Sequence, residues 1–472
     1  MTEVWKKTLS ELASDLAAGW ISSVDLTEDV LSRADRLDPA INALVTRNDM
    51  ALTQAAESDA RRSAGETLGP LDGIPLAVKD NILTASIRTT WGSPVYGDFM
   101  PAEDETPVAR LKAAGMVILG KTNVPEFTLE GFTDNPLFGP TRNPWDTTLT
   151  PGGSSGGSVA GVAAGLFPAA IGTDGGGSIR RPCGYTGLFG LKPTIGRLAR
   201  TVTLPQVLFD MEVVGPITRD VESAALLFRA MEGYHHGDPR SSLPDEPGRD
   251  LDLGSAPSRL NILYVEKMAN APLDPLIADS SRQMAARLET LGHRVTPGTL
   301  PLNLDDLNEH WTRIGQAGLG SLARQLGDGF ASASPKYREM ADSSRSFGAD
   351  ALFALFDRIA RLREDAARFY HTCDAVLTPS SAAMPWPVGT DYPSMIDGQS
   401  AGPRGHAVYT GWVNAIGHPA VNLPGPPAPN GLPIGCQLVG AHNRDWLLMR
   451  LARQYEKAFP WHDKWPEMAL DD

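Results

Sequence analysis

Two glycine-rich clusters near the middle of the chain carry the residues whose types and spacing suggest chemistry. The first spans residues 152–157 and contains Ser154, and the second spans residues 175–178 and ends in Ser178. Glycine at this density costs backbone entropy, so it is kept where the backbone must approach a ligand closely or adopt a positive φ. Oxyanion holes and anion cradles are two such places. The two clusters are therefore the first candidates for a catalytic site.

A serine nucleophile needs a base, and the histidines show no catalytic or metal-binding spacing. The GxSxG pattern at residues 152–156 lacks the preceding buried strand of a nucleophile elbow, and no lysine lies three residues after a serine. A lysine can act as the base when burial lowers its pKa from about 10.4 towards neutrality. Lys79, at the end of an apolar segment, is the leading candidate. Lys121 and Lys192 are weaker candidates, because a structural hydrogen bond would suffice for each.

The segment between the clusters supports a geometric argument about the two serines. Residues 158–166 are predicted to form a helix and residues 169–174 a buried strand. A helix of about 12 residues advances ~18 Å, and a strand of about six residues returns ~20 Å. If the strand runs antiparallel to the helix, Ser154 and Ser178 lie side by side although they are 24 positions apart.

Composition and charge exclude several functional classes. The chain has 472 residues and a formal net charge of −14, which argues against nucleic acid or an anionic membrane as the main partner. Its cysteines, Cys183, Cys373 and Cys436, form no CxxC pattern and offer no metal site, which suits a reducing compartment. The first 20 residues contain acidic side chains and no apolar run of signal-peptide type. We therefore expect a cytoplasmic protein.

Helical and strand patterns alternate along nearly the whole chain, which predicts the α/β class. The polar stretch 234–257, with four prolines, is a candidate domain boundary.

Seven ordered motifs together resemble those of the amidase signature family, over about residues 8–459. They are GIPLAVKDN (73–81), GKTNVPE (120–126), TRNP (141–144), GGSSGG (152–157), GTDGGGSIR (172–180), GLKPT (190–194) and GLPIGCQLVG (431–440). The resemblance implies a single large α/β/α domain over residues 1–472, with a central mixed, twisted β-sheet flanked by helices. Its core would span about residues 65–220, with a helical, substrate-lining insert at about 300–372.

The resemblance also assigns roles to the candidate residues. Ser178 would be the nucleophile, Lys79 the base, and Ser154, which follows a cis peptide bond in the family, the proton relay between them. The oxyanion hole would consist of the N–H groups of Gly175, Gly176, Gly177 and Ser178, and supporting contacts would come from Ser155, Asp174 and Arg180. Neither a metal nor another cofactor is required. Arg181 and Cys183 replace commoner small or apolar residues of the family, and the sequence suggests no function for either.

The function implied is that of a free-standing amidase, which hydrolyses a small or medium acyl or aryl amide through an acyl-enzyme on Ser178. An alternative within the same family is the A subunit of a glutamine-dependent aminoacyl-tRNA amidotransferase. A third alternative, of another class, is a catalytically silent scaffold or binding protein. The expected partner is a small-molecule amide, with neither nucleic acid nor membrane, and a homodimer is left open.

The substrate pocket is expected to be apolar, because aromatic residues occur in the segments expected to form its walls; a position in the hydrophobic core is an equal alternative for each of them. The aromatic candidates for its lining are Phe127, Phe132, Phe209, Trp311 and Trp386.

Overall fold

The computed structural model describes residues 3–242, 253 and 255–470. The helices of this part of the chain are α1 (Leu9–Ala18), α2 (Ser23–Ile41), α3 (Ala51–Ala64), α4 (Thr106–Ala113), α5 (Gly156–Ala163), α6 (Arg180–Thr186), α7 (Val221–Met231), α8 (Pro275–Thr290), α9 (Asp305–Leu326), α10 (Pro335–Ser343), α11 (Ala349–Phe369), α12 (Gly411–Ile416), α13 (Asp445–Ala458) and α14 (Glu467–Leu470). Its strands are β1 (Leu44–Arg47), β2 (Pro75–Lys79), β3 (Val117–Thr122), β4 (Ala169–Asp174), β5 (Phe189–Lys192), β6 (Val213–Thr218), β7 (Asn261–Tyr264), β8 (Arg294–Pro297), β9 (Ala375–Pro379), β10 (Met395–Ile396), β11 (Gln399–Ser400), β12 (Ala420–Pro424) and β13 (Gly435–Gly440).

Eleven of these strands form one mixed sheet in the order β1-β3-β2-β4-β6-β5-β12-β13-β9-β7-β8. The strands β2, β3 and β4 are parallel neighbours, whereas β4 pairs with β6 in antiparallel fashion. The central strands are buried along their whole length, which explains their nearly continuous apolar sequences. The α/β class and the central mixed sheet flanked by helices are therefore confirmed.

The candidate site lies at the edge of the sheet where β2 and β4 end. The two strands run parallel, with Val78 opposite Ile171, so their carboxyl ends meet at the same edge. Lys79 is the last residue of β2, and Asp174 is the last residue of β4. Such an edge is where open α/β sheets commonly bind ligands.

The helix and strand between the two glycine-rich clusters lie close to their predicted bounds. The strand predicted at residues 169–174 is β4, and the helix predicted at residues 158–166 is α5, which begins at Gly156 and ends at Ala163. The helix stops early because Gly165, two residues after its end, has a φ of +69°.

Two large apolar clusters pack on the sheet, and both include residues of β9, β12 and β13. The larger contains α5, β2, β4 and α7, and the other joins α9, α11 and α12 to β9 and β13. Of the candidate boundary at residues 234–257, residues 243–252 and 254 lie outside the described part of the chain. Within the described part, none of the helices combines the length and apolar character needed to cross a membrane.

The packing of α5 against the sheet gives a stability prediction. A Cβ atom at Gly157 would lie 2.3 Å from the backbone nitrogen of Asn123 and 2.6 Å from the carbonyl oxygen of Ala43. We expect Gly157→Ala to lower the free energy of unfolding by about 1–3 kcal/mol, because backbone atoms cannot rotate away from the added methyl group. Denaturant unfolding measures this loss. Gly402→Ala, where nothing lies within 4 Å of the added atom, is the control; equal stability of the two variants would contradict the packing described.

Candidate active site

Lys79 is fully buried, and its amino group lies against Ser154. Its Nζ is 2.8 Å from Ser154 Oγ, 2.8 Å from Thr173 Oγ1 and 3.2 Å from the Thr173 carbonyl oxygen. Thr173 precedes the last residue of β4, so the parallel pairing of β2 with β4 brings it beside the lysine. The three contacts fix the amine in one position, with one hydroxyl of the first glycine-rich cluster within hydrogen-bonding distance.

Burial lowers the pKa of Lys79 to about 7, because an ammonium ion loses its hydration in the interior. Glu212 and Asp174 act in the opposite direction, and Arg200 adds to the lowering. The effect of burial on the pKa is larger than the opposing effect of the two carboxylates. A substantial fraction of Lys79 is therefore neutral near pH 7, as a general base must be.

The two weaker lysine candidates are also buried but have other contacts. Lys121 donates hydrogen bonds to the Ile82 carbonyl oxygen and to the hydroxyls of Thr84 and Thr89. Burial lowers the pKa of Lys192 to about 7, yet its Nζ donates to the carbonyl oxygen of Pro193, at 2.8 Å. Among the described hydrogen bonds of these three lysines, only that of Lys79 reaches a serine.

The two glycine-rich clusters meet at the end of β4. The backbone N–H of Ser155 donates to the carbonyl oxygen of Ser178 at 3.3 Å, and its hydroxyl donates to the Thr173 carbonyl oxygen at 3.3 Å. The Gly153–Ser154 peptide bond is cis. A side chain at Gly153 would collide with the backbone of Phe132, at 2.1 Å from its carbonyl oxygen. The expected proximity of the two clusters is therefore present.

Asp174 and Arg180 form a buried ion pair that holds the second cluster. The guanidinium of Arg180 donates to both carboxylate oxygens of Asp174, at 2.9 and 3.0 Å. Burial alone would raise the pKa of Asp174, but Arg180 outweighs it and holds the pKa below its usual range. Asn414 donates a further hydrogen bond to the same carboxylate, at 3.0 Å. The carboxylate of Asp174 therefore stays ionised, and its hydrogen bonds hold the loop of the second cluster.

Asp174 also changes the expected oxyanion hole. The backbone N–H of Gly177 donates to Asp174 Oδ1 at 2.7 Å, so it is already used in holding the loop. Gly177 has a φ of +112°, and a Cβ there would lie 2.2 Å from Thr410 Oγ1, so only glycine fits. This contact with Asp174 competes with the predicted donation of the Gly177 N–H to an oxyanion, which stays a prediction. The other predicted donors are the N–H groups of Gly175, Gly176 and Ser178.

Ser178 opens onto a cavity of about 390 Å³. Gly175 and Gly176 line the same cavity, so a carbonyl group beside Ser178 would also lie beside the candidate oxyanion donors. Ser178 is 7% exposed, whereas Ser154 and Lys79 lie beneath the surface. This arrangement places a serine hydroxyl at the cavity and the amine of Lys79 in the interior.

A comparison with protein families supports the same chemistry. The model of the Amidase family matches residues 25–449. The chain belongs to the amidase signature family. It is 34% identical to the A subunit of the glutamyl-tRNA(Gln) amidotransferase of Methylococcus capsulatus, over 99% of this chain and 100% of the relative. It is 35% identical to the corresponding protein of Azotobacter vinelandii, over 98% of this chain and 99% of the relative.

Solved structures of amidase signature enzymes share the fold. A bacterial aryl acylamidase superposes with a TM-score of 0.90, at 27% identity, and the match covers 99% of each chain. A 6-aminohexanoate cyclic dimer hydrolase complexed with substrate gives a TM-score of 0.87, at 27% identity, over 99% of this chain and 100% of the other. The chain is thus an amidase signature enzyme with a carbon–nitrogen hydrolase fold.

The five aromatic candidates for the substrate pocket separate in the structure. Trp311 lines the cavity that contains Ser178, whereas the other four are not among the described residues around it. Phe127 packs in a core cluster, and Phe209 is 51% exposed. The backbone of Phe132 lies against Gly153, and Trp386 packs behind His406, a residue of the cavity wall.

Sequence reasoning missed several residues of the cavity and of the base environment. Thr173 contacts Lys79, Arg404 and His406 line the cavity, and Lys336 carries an ion pair at its wall. The motif GTDGGGSIR contains Thr173, so its position immediately before Asp174 was a usable signal. Nothing in the sequence around Arg404 distinguishes it from a residue of an ordinary surface loop.

The buried pair gives a second stability prediction. Arg180→Met leaves Asp174 as a buried charge without its guanidinium partner, so we expect a loss of about 3–5 kcal/mol in the free energy of unfolding. Thermal and denaturant unfolding measure it. The double variant Asp174→Asn with Arg180→Met removes the stranded charge and should recover part of the loss. A double variant no more stable than Arg180→Met would contradict the unpaired charge of Asp174 as the cause of the lost stability.

Proposed function

We propose that this protein hydrolyses a carboxylic amide through an acyl-enzyme on Ser178, with Lys79 as the base and Ser154 as the proton relay. The observation that carries the proposal is the 2.8 Å contact between the buried Lys79 Nζ and Ser154 Oγ, next to the cavity onto which Ser178 opens. A neutral amine with a hydroxyl relay can deprotonate a serine without histidine.

The reaction has two halves. Neutral Lys79 accepts the proton of Ser154 while Ser154 takes the proton of Ser178, and Ser178 Oγ attacks the amide carbon. Backbone N–H groups at Gly175, Gly176 and Ser178 stabilise the oxyanion, and each such donor typically lowers the barrier by ~3 kcal/mol. The relay then returns the proton to the leaving amine. Water, deprotonated by the same relay, releases the carboxylic acid and restores Ser178.

Two candidate functions share this chemistry. The curated relatives at 34–35% identity over nearly their whole length are A subunits of glutamyl-tRNA(Gln) amidotransferase, which favours a glutamine-hydrolysing component of such an assembly. The solved neighbours, among them the aryl acylamidase and a peptide amidase bound to chymostatin, support a free-standing hydrolase at 27–28% identity. The sequence relatives thus favour the amidotransferase component over the free-standing amidase.

The nucleophile is tested by covalent labelling. A fluorophosphonate should label the wild-type protein on Ser178 and should not label Ser178→Ala. We expect amide turnover to fall to background in the same variant, because Ser178 is the serine that combines the relay with the oxyanion donors. Peptide mapping by mass spectrometry identifies the labelled residue. Unlabelled wild-type protein would contradict the proposed acyl-enzyme and favour the silent scaffold.

The base is tested by pH dependence. Since the pKa of Lys79 is about 7 and only its neutral form accepts a proton, kcat/KM should rise with pH through 7 and level off above about pH 8. Glu212 favours the charged form, so Glu212→Gln should move the rising limb to lower pH. Glu289→Gln, at an exposed position of α8, is the control. An unmoved limb in Glu212→Gln would contradict Lys79 as the titrating base.

Purification separates the two candidate functions. A free-standing amidase should be active as a single polypeptide. A component of an amidotransferase should co-purify with its partner proteins from its native cells, and its glutamine hydrolysis should increase when they are present. Activity of the lone chain on simple amides, with no co-purifying proteins, would contradict a role in an amidotransferase.

A further inference from the structure

One peptide unit of the second glycine-rich cluster is held by packing and not by hydrogen bonds. In the unit before it, the carbonyl oxygen of Asp174 accepts a hydrogen bond from the side chain of Asn414 at 2.8 Å. In the unit after it, the N–H of Gly177 donates to the Asp174 carboxylate at 2.7 Å. The Gly175–Gly176 unit lies between these two, and it takes part in none of the hydrogen bonds of the described residues.

The N–H group of this unit belongs to Gly176 and is a candidate oxyanion donor. Such a donor acts only when it lies about 3 Å from the developing negative charge, and a misplacement of about 1 Å can cost about 100-fold in rate. Glycine is also the residue with the greatest backbone freedom. The position of this N–H group therefore depends on the contacts of the two Cα atoms that flank the unit.

The indole of Trp311 packs on the Cα atom of Gly176. A Cβ atom at Gly176 would lie 3.1 Å from Cζ2 of Trp311, and its two next nearest atoms, at 3.8 and 4.0 Å, belong to the same indole. The φ of Gly176 lies outside the left-handed region, so the backbone itself would accept a side chain. The contact with Trp311 is therefore what opposes a side chain at this position.

The other Cα atom of the unit is covered through a second contact of the same helix. A Cβ atom at Gly175 would lie 2.5 Å from Cδ1 of Leu208. Leu208 packs in turn against α9, because its Cδ2 lies 3.9 Å from the position of a Cβ atom at Gly315, one turn after Trp311. One face of α9 thus restrains both ends of the Gly175–Gly176 unit.

The indole itself is held in place. Trp311 is only 7% exposed, and its six-membered ring also contacts α12, where a Cβ atom at Gly411 would lie 3.5–3.6 Å from the ring. Because α12 and the second glycine-rich cluster contact the same ring, the indole has little room to turn away from Gly176.

We propose that Trp311 is a positioning residue, whose indole holds the Gly175–Gly176 peptide unit so that the Gly176 N–H faces the oxyanion. This inference rests on the proposed amide hydrolysis and gives α9 a part in the catalytic geometry. Trp311 acts through the backbone of the glycine-rich cluster. Its replacement should therefore slow the chemical step more than it weakens binding.

The first test measures the reaction of Ser178 with a fluorophosphonate, whose phosphonyl oxygen takes the place of the oxyanion. Trp311→Ala should lower the limiting rate constant of phosphonylation, kinact, about 10- to 100-fold, with a smaller change in KI, as expected for one misplaced donor. Trp311→Phe keeps an aromatic ring and should recover part of the rate. Gly411→Ala, which adds an atom near the same indole from α12, is the control.

A double-mutant cycle isolates the contact between the indole and the glycine. Gly176→Ala alone should lower kinact, because the added methyl group must displace the ring or the backbone. In the Trp311→Ala background the same change should have a smaller effect, as expected for residues in contact. Losses that multiply, or a loss in Trp311→Ala that is confined to KI, would overturn the positioning role.

NMR makes the test independent of turnover. In Ser178→Ala protein labelled with ¹⁵N-glycine, Gly176→Ala identifies the signal of Gly176 by its loss. Adding Trp311→Ala should lower the order parameter of this N–H from about 0.85 to below about 0.6, while the other glycine signals show that the variant is folded. An unchanged order parameter would overturn the inference. Absence of fluorophosphonate labelling on Ser178 in the wild-type protein would instead overturn the proposed hydrolysis.

Discussion

The burial of one amino group is the constraint on which the rest of this structure depends. Lys79 is fully buried, and burial lowers its pKa to about 7. That change means that the interior destabilises the charged form of Lys79, relative to the neutral form, by about 5 kcal/mol. Because the unfolded chain binds this proton up to a pH near 10.5 and the folded chain does not, the group reduces folding stability at neutral pH. The surrounding core must offset that cost.

The sheet and the glycine-rich loops supply the hydrogen-bond partners of the buried Lys79 amine. Parallel pairing of β2 with β4 places Lys79 beside Thr173, and the close approach of the loop at Gly153 brings Ser154 to it. The pair formed by Asp174 and Arg180 then fixes the loop that carries Ser178. Each of these features restricts the backbone, and together they leave Ser178 at the cavity and Lys79 in the interior.

Much of this could be predicted from the sequence, because the signals were local. An apolar strand that ends in a lysine, two glycine-rich clusters and the strand between them each identified an element with small errors in its bounds. The use of the Gly177 N–H by Asp174 could not be predicted, because it depends on how the loop folds back on its own carboxylate. The contact of Arg404 with Trp311 was equally inaccessible, since it joins residues far apart in the chain. The aromatic candidates show the same limit: composition could not separate Trp311 at the cavity from Phe127 in the core.

The candidate site thus combines the strand ends of the central sheet with the cavity onto which Ser178 opens. The central claim is that the buried amine of Lys79 is largely neutral at physiological pH. NMR titration of the protein with isotopically labelled lysine side chains measures this directly, with Lys79→Arg and Lys192→Arg to assign the two signals of lowest pKa. The account predicts a Lys79 signal that titrates near pH 7, whereas a Lys79 that titrates near pH 10 would contradict it.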